Sequence, residues 1–245
     1  GSISIKPDEL IVGCKVPLPK GSPVYPEYNV KWLEDELDTL ASREETPFDV
    51  GTETKKAIRE QIIPYWKGRT IYDHIIANAP EKALSAANEG LFFHYYMDRS
   101  IGHISANYEK VLLLGLSGIK SEIKTQQGLL CPGQDDYSQK SVFYDALMMV
   151  ADAAINFSHR YATLASEMAV ECNDPDRRKE LENIARICGR VPEYPAETLH
   201  EALQSFWFIH LILNLETNSY AISPGRFCQY IFSFYRTDLE KGDID

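Results

Sequence analysis

The sequence predicts a mostly helical chain with few strands. Three observations carry that prediction. Apolar residues recur three and four apart over long stretches, the longest being residues 138–172, rich in Ala and Met. Helix punctuation recurs too, with Thr, Asn or Asp ahead of such a stretch and Gly or Pro behind it. Strand material is confined to two short places, residues 9–13 and 222–234.

In chain order, residues 9–13 (ELIVG) read as a strand or extended piece. Pro17, Pro19, Gly21, Pro23 and Pro26 then keep the chain out of helix. A helical pattern resumes over 29–42, where Leu33, Leu37 and Leu40 share one side, with Trp32 beside them. Residues 52–66 form the next helix, with Thr52 as N-cap and Pro64 ending or kinking it. Thr70 caps a short helix over 71–79. Beyond Gly90 comes an aromatic cluster of Phe92, Phe93, Tyr95 and Tyr96. Residues 107–124 are helical, with Val111, Leu112, Gly115, Leu116 and Ile119 on one stripe. Cys131-Pro-Gly is a break ahead of the long helix. Asn173-Asp-Pro175 is a turn into a helix over 176–188, closed by Gly189 as its C′ residue. Pro192 and Pro195 enforce an extended link to the last long helix, 197–216. No internal repeat interrupts this order.

Composition excludes several functions. The chain has 245 residues, 44% of them hydrophobic and 25% charged, enough for a sizeable core. Its formal net charge of −11 argues against nucleic acid and against an anionic membrane surface. The most apolar run, 206–215, is about half the ~20 residues a bilayer requires. The first residues, GSISIKPDE, contain neither a basic nor an apolar stretch, so no signal peptide is expected, and residues 1–2 read as a tag remnant. The five cysteines (14, 131, 172, 188 and 228) are scattered and form no CxxC. They read as reduced thiols of a cytoplasmic protein, and no metal site is expected.

Phosphate-loop, dinucleotide, zinc-protease and serine-hydrolase motifs are absent from the sequence. Two places remain. In residues 99–103 (RSIGH), Arg99 and His103 would share one face of a helix, a guanidinium and an imidazole together suiting a carboxylate or sulfonate. Equally, Arg99 is a surface charge and His103 a satisfied helix-end residue. In residues 216–226, a polar ETNS and a Ser-Pro-Gly-Arg turn follow an apolar helix, as in the floor of a cavity; a helix end followed by an ordinary turn fits as well. From the residues alone the plainer alternative is preferred in both places.

The order of short motifs adds a resemblance. Asp8-Glu-Leu-Ile-Val-Gly13, Pro64-Tyr-Trp-Lys-Gly-Arg-Thr70, the stretch from Gly102-His103 to Asn107-Tyr-Glu-Lys-Val-Leu112, Arg190-Val-Pro192, Glu201-Ala-Leu-Gln-Ser-Phe-Trp-Phe208, Glu216-Thr-Asn218 and Ser223-Pro-Gly-Arg-Phe227 run collinearly over nearly the whole chain. Together they resemble the pyruvate formate-lyase-like glycyl radical enzymes. The resemblance implies that residues 1–245 are the N-terminal portion of such a domain and part of a ten-stranded α/β barrel. It also implies a radical on a glycine of the parent enzyme, installed by a separate activase that uses S-adenosylmethionine and an iron–sulfur cluster. A cysteine in a Gly-Cys-Val-type loop then acts on the substrate. None of the five cysteines has that context, and Arg190-Val-Pro-Glu-Tyr194 only echoes the glycyl site, so the segment alone is not expected to turn over. No bound cofactor is expected.

For this family the resemblance implies an enzyme acting on a small molecule, with the activase as partner and a homodimer possible. Arg99, His103, Tyr220 and Ala221 are the expected substrate-binding residues, and none of the chain's residues is assigned a catalytic role. Glycerol-type dehydratases resemble Glu-Ser-Asn-Gly-His-Ser where this chain has Glu216-Thr-Asn-Ser-Tyr-Ala221; Tyr220 and Ala221 replace the His and Ser that hold hydroxyls. Asn107 and Cys228 also replace acidic residues of the pattern. The function expected is radical cleavage of lyase or decarboxylase type on a small anion. The alternatives are a radical dehydratase or amine lyase on a neutral or cationic substrate, and a non-catalytic helical scaffold.

Overall fold

Helices make up nearly all of the regular structure in the computed structural model, which describes residues 2–16, 25, 30–91, 103–216 and 221–244. The chain divides into two units, one of residues 1–22, 104–215 and 222–245, the other of residues 23–103 and 216–221.

In the second unit, α1 (Lys31–Glu36) is followed by a 3-10 turn, Leu40–Ser42. Leu37 and Leu40, from the predicted stripe, are buried. Helix α2 (Thr52–Ala57) starts from Gly51 rather than Thr52. A π turn, Ile58–Ile62, leads into α3 (Ile63–Trp66). The widened turn stands directly ahead of Pro64, whose missing N–H removes one rung of the helical ladder. Helix α4 (Ile71–Asn78) begins with the predicted Thr70 cap. The Thr70 hydroxyl accepts from the Asp73 amide at 3.0 Å, and the Asp73 carboxylate accepts from the Thr70 amide at 3.3 Å. Helix α5 (Glu81–Asn88) follows. The aromatic cluster expected at 92–96 lies outside the described residues.

The first unit holds α6 (Tyr108–Gly128), α7 (Tyr137–Glu171), α8 (Pro175–Cys188), α9 (Leu199–Glu216) and α10 (Phe227–Lys241). Helix α9 is apolar nearly all round, the pattern of a helix buried on every side, and it contributes to all three apolar clusters. Phe208 packs with Val12, Tyr161, Ala165, Leu181 and Ile184. Ala202 packs with Leu112 and Ile231. Ile209 and Ile212 lie against Leu116, Ala154 and Ile155.

Two departures from regular helix shape this unit. Inside α6, Gly115 takes φ 63° and ψ 169°, so the predicted stripe spans a break. At the break Leu116 N–H donates to Pro192 O (2.8 Å) and Ser117 N–H to Glu193 O (2.9 Å), while Ala196 N–H donates to Leu112 O (3.0 Å). Residues 190–194, expected as an extended link, therefore turn and supply the carbonyls that the interrupted helix lacks; the Val191–Pro192 bond is cis. Gly189 ends α8 as its C-cap, at φ −76°.

The sheet and barrel expectations are overturned. Among the described residues there is no strand, no sheet and no barrel of any kind; the one β pairing is an isolated parallel bridge between Ser105 and Ser223. Each expected strand fails for a physical reason. Residues 10–13 satisfy their backbone through side chains of α9. Val12 N–H donates to Gln204 Oε1 and Gln204 Nε2 to Val12 O, both at 2.8 Å. Trp207 Nε1 donates to Gly13 O at 3.0 Å, and His200 Nε2 to Leu10 O at 2.9 Å. In residues 222–234, Phe227, Tyr230, Ile231 and Phe234 are spaced three and four apart and pack on one cluster, so the aromatic run is the inner face of α10.

Candidate functional site

Of the four residues expected to bind substrate, Arg99 and Tyr220 lie outside the described residues. His103 and Ala221 are exposed, and both take a left-handed backbone, at φ 60° and 49°. Such a conformation in a residue with a Cβ costs about 1–3 kcal/mol and persists only where the surroundings impose it.

Each of these residues stands two positions ahead of a serine of the isolated bridge. Within the first unit, Ser223 N–H donates to Ile104 O at 2.8 Å, and Gly225 N–H donates to Ser223 Oγ at 3.1 Å. Gly225 has φ 67°, and a Cβ there would stand 2.9 Å from Ser105 Oγ, so the Ser-Pro-Gly turn needs its glycine. Tyr230 on α10 donates its hydroxyl to Pro224 O at 2.7 Å. The polar turn after α9 is thus fastened to the segment ahead of α6.

Next to this junction lies an aromatic group that sequence reasoning did not single out. Tyr108, almost fully buried at the start of α6, has its hydroxyl 3.0 Å from Nδ1 of His210 on α9, sharing one hydrogen bond. Phe206 packs against both rings, and Tyr230 stacks on Tyr108 at 6.2 Å between centroids. Burial pushes the Tyr108 phenol up and the His210 imidazole down. Burial, then the neighbouring Tyr108, pushes Tyr230 up to about 12. Near neutral pH the group is therefore uncharged, suited to holding position by directed hydrogen bonds rather than by ion pairing. The sequence signal for it was His210, a titratable ring in the middle of an apolar helix.

A charged network holds the other end of α9. Glu201 is only 1% exposed, with Arg186 Nη1 at 2.7 Å and Arg190 Nε at 3.3 Å. Its carboxylate also accepts from the Glu197 amide at 2.9 Å, and Arg190 pairs with Glu197 as well. Burial raises the Glu201 pKa, but the Arg186 hydrogen bond, the Glu197 amide and the two guanidinium charges outweigh it, leaving the carboxyl below its usual range. Burial pushes the Cys188 thiol up to about 12, which leaves it protonated and unreactive. Among the described residues no group of three or more His, Cys, Asp or Glu side chains is placed to hold a metal, and no helix is long and apolar enough to cross a membrane.

The pyruvate formate lyase-like family matches residues 1–245, the whole length given. The chain belongs to that family, the glycyl radical enzyme superfamily. It is 35% identical over 246 residues to trans-4-hydroxy-L-proline dehydratase of Clostridioides difficile, covering 100% of this chain and 31% of that protein. It is 35% identical over 231 residues to isethionate sulfite-lyase of Nitratidesulfovibrio vulgaris, covering 90% of this chain and 28% of that one. A solved structure concerned with 1,2-propanediol dehydration in Roseburia inulinivorans superposes with a TM-score of 0.90 at 40% identity, over 100% of this chain and 31% of that one. The chain thus spans less than a third of the length of these relatives.

Proposed function

We propose that these residues are the N-terminal part of a glycyl radical enzyme that eliminates water from a small hydroxylated substrate. The observation that carries this reading is the family match over residues 1–245, together with identities of 35–40% to proteins named for dehydration. It revises the lyase or decarboxylase preference drawn from the sequence in favour of its dehydratase alternative. In this reading the rest of the parent protein supplies the radical glycine and the reactive cysteine, and an activase generates the radical; these would supply the hydrogen abstraction. The part played by this chain is to bind and orient. Arg99, His103, Tyr220 and Ala221 face the substrate, and Tyr220 and Ala221, in place of hydroxyl-binding His and Ser, direct the pocket away from glycerol.

A second reading, radical C–S cleavage of a small sulfonate, is favoured by the identity to isethionate sulfite-lyase and by the guanidinium of Arg99. The test is the parent enzyme, activated anaerobically and confirmed to carry an organic radical by electron paramagnetic resonance. It is supplied with hydroxyproline-, diol- and hydroxysulfonate-type substrates, and water loss and sulfite release are both measured. Water loss from a hydroxylated substrate is expected. A radical-bearing enzyme that releases sulfite and dehydrates nothing overturns the proposal in favour of the second reading.

A further inference from the structure

We infer that Tyr108 and His210, with Tyr230, form a positioning latch that fixes Ile104 and Ile222, where the two segments proposed to face the substrate end. The inference rests on the reading of residues 99–103 and 217–221 as substrate-facing. Ile104 directly follows the first segment and Ile222 directly follows the second. These two emerging chains are joined by the bond from Ser223 N–H to Ile104 O and by the Ser105–Ser223 bridge, and by no longer ladder among the described residues.

One backbone hydrogen bond contributes only about 0.5–1.5 kcal/mol and does not by itself hold two chain segments in register. The latch supplies the remaining constraint. Tyr108 lies three residues beyond Ser105, and its hydroxyl bonds His210 on α9, the helix that leads into Glu216-Thr-Asn218. Tyr230 stacks on Tyr108 and donates to Pro224 O, one residue beyond Ser223. The two aromatic hydroxyls therefore tie each side of the bridge to α9 or α10. Neither is needed to fill space, because phenylalanine would occupy the same volume; what the oxygens add is direction. Because all three side chains are uncharged near neutral pH, the latch holds without a counter-ion and without drawing charge toward the segments it anchors.

Both arms of the experiment use the parent enzyme, one before activation and one after it. In the unactivated parent, Tyr108→Phe and Tyr230→Phe are compared with wild type by amide hydrogen exchange at Ser223. Each variant is expected to speed exchange there by about tenfold, while amides in the interior of α7 are unchanged. Exchange at Ser223 equal to wild type in both variants overturns the inference, whatever reaction the parent performs.

In the activated parent, Tyr108→Phe is expected to raise KM and lower kcat together. The double variant Tyr108→Phe with His210→Leu removes both polar partners and is expected to recover unfolding stability without recovering kcat/KM. Recovery of both would make the pair structural only and would also overturn the inference. A parent that dehydrates nothing would defeat the proposed function and leave the exchange result standing, so the two failures are distinguishable.

Discussion

Replacing Gly115 by alanine is expected to destabilise the first unit more than any other single methyl addition in α6. At φ 63° and ψ 169° the backbone lies in a region that is almost exclusively glycine's, and an alanine there carries about 1–3 kcal/mol of strain. The new Cβ would also stand 2.4 Å from Glu193 O and 2.5 Å from the Tyr194 carbonyl carbon. These are backbone atoms, held by the bonds from Leu116 and Ser117 to the 192–193 carbonyls, so they cannot swing aside as a side chain does. Relieving the overlap by overpacking adds about 1–3 kcal/mol. Adding the two terms, the expected loss is about 4 kcal/mol. Gly128→Ala, in the last residue of the same helix with nothing within 4 Å of its Cβ, is the control; it is expected to stabilise by up to about 0.5–1 kcal/mol. Urea unfolding of the two variants, compared at equal m-values, measures the difference. A Gly115→Ala midpoint matching wild type would refute the claim that residues 192–196 are locked into the helix break.

Glu201→Gln removes the charge that Arg186 and Arg190 face and is expected to cost about 1–3 kcal/mol at neutral pH, the partial exposure of both arginines keeping the figure below that of a fully sealed pair. Because the folded Glu201 carboxyl titrates below its unfolded value, the unfolded chain binds more protons in that window; wild-type stability should fall as pH drops through the carboxylate range, and the glutamine variant should show a shallower decline. Gln204→Ala leaves the buried amide and carbonyl of Val12 unpaired and is expected to cost about 2–4 kcal/mol, with early proteolytic release of the N-terminal segment as a second readout. In the parent enzyme, Arg99→Ala should lower kcat/KM by at least about 2 kcal/mol if the substrate carries an anionic group, and an unchanged kcat/KM removes Arg99 from the pocket.

Helix punctuation made much of the fold legible. The Thr70 cap, the turn at residues 173–175 and the long α7 follow from local chemistry, and the structure has them where local chemistry puts them. What sequence reasoning missed depends on contacts distant in the chain. Residues 9–13 have strand composition but meet the side chains of α9 rather than a neighbouring strand. The aromatic run of residues 227–234 carries a helical spacing that its β-type residues concealed. Gly115 sat on a stripe that looked continuous, because nothing local announces that residues 192–196 will enter the helix. At the candidate site, residue types drew attention to residues 99–103 and 216–226, but the Tyr108–His210 bond joins positions 102 apart and no local pattern could have paired them.

The motifs that mark the family have a common physical meaning here. Residues 8–13 dock along α9 through Gln204, Trp207 and His200. The Arg190-Val-Pro stretch pairs with Glu201 on one side and closes the α6 break on the other. Asn107 caps α6 by accepting from the Lys110 amide at 3.1 Å, a role its amide oxygen fills as well as the acidic residue of the family pattern would. Ser223 and Gly225 fasten the turn to Ile104 and Ser105. The motifs at residues 8–13, 190–192 and 223–225 therefore fix inter-element contacts that hold whatever the substrate. That accounts for similar identity to proteins named for dehydrating a cyclic imino acid and for releasing sulfite. Under the proposed function, selection among substrates falls to residues outside these motifs, such as Arg99, Tyr220 and Ala221. A scaffold whose register is set by its motifs can vary other side chains without unfolding, which is the condition for one fold to serve several substrates.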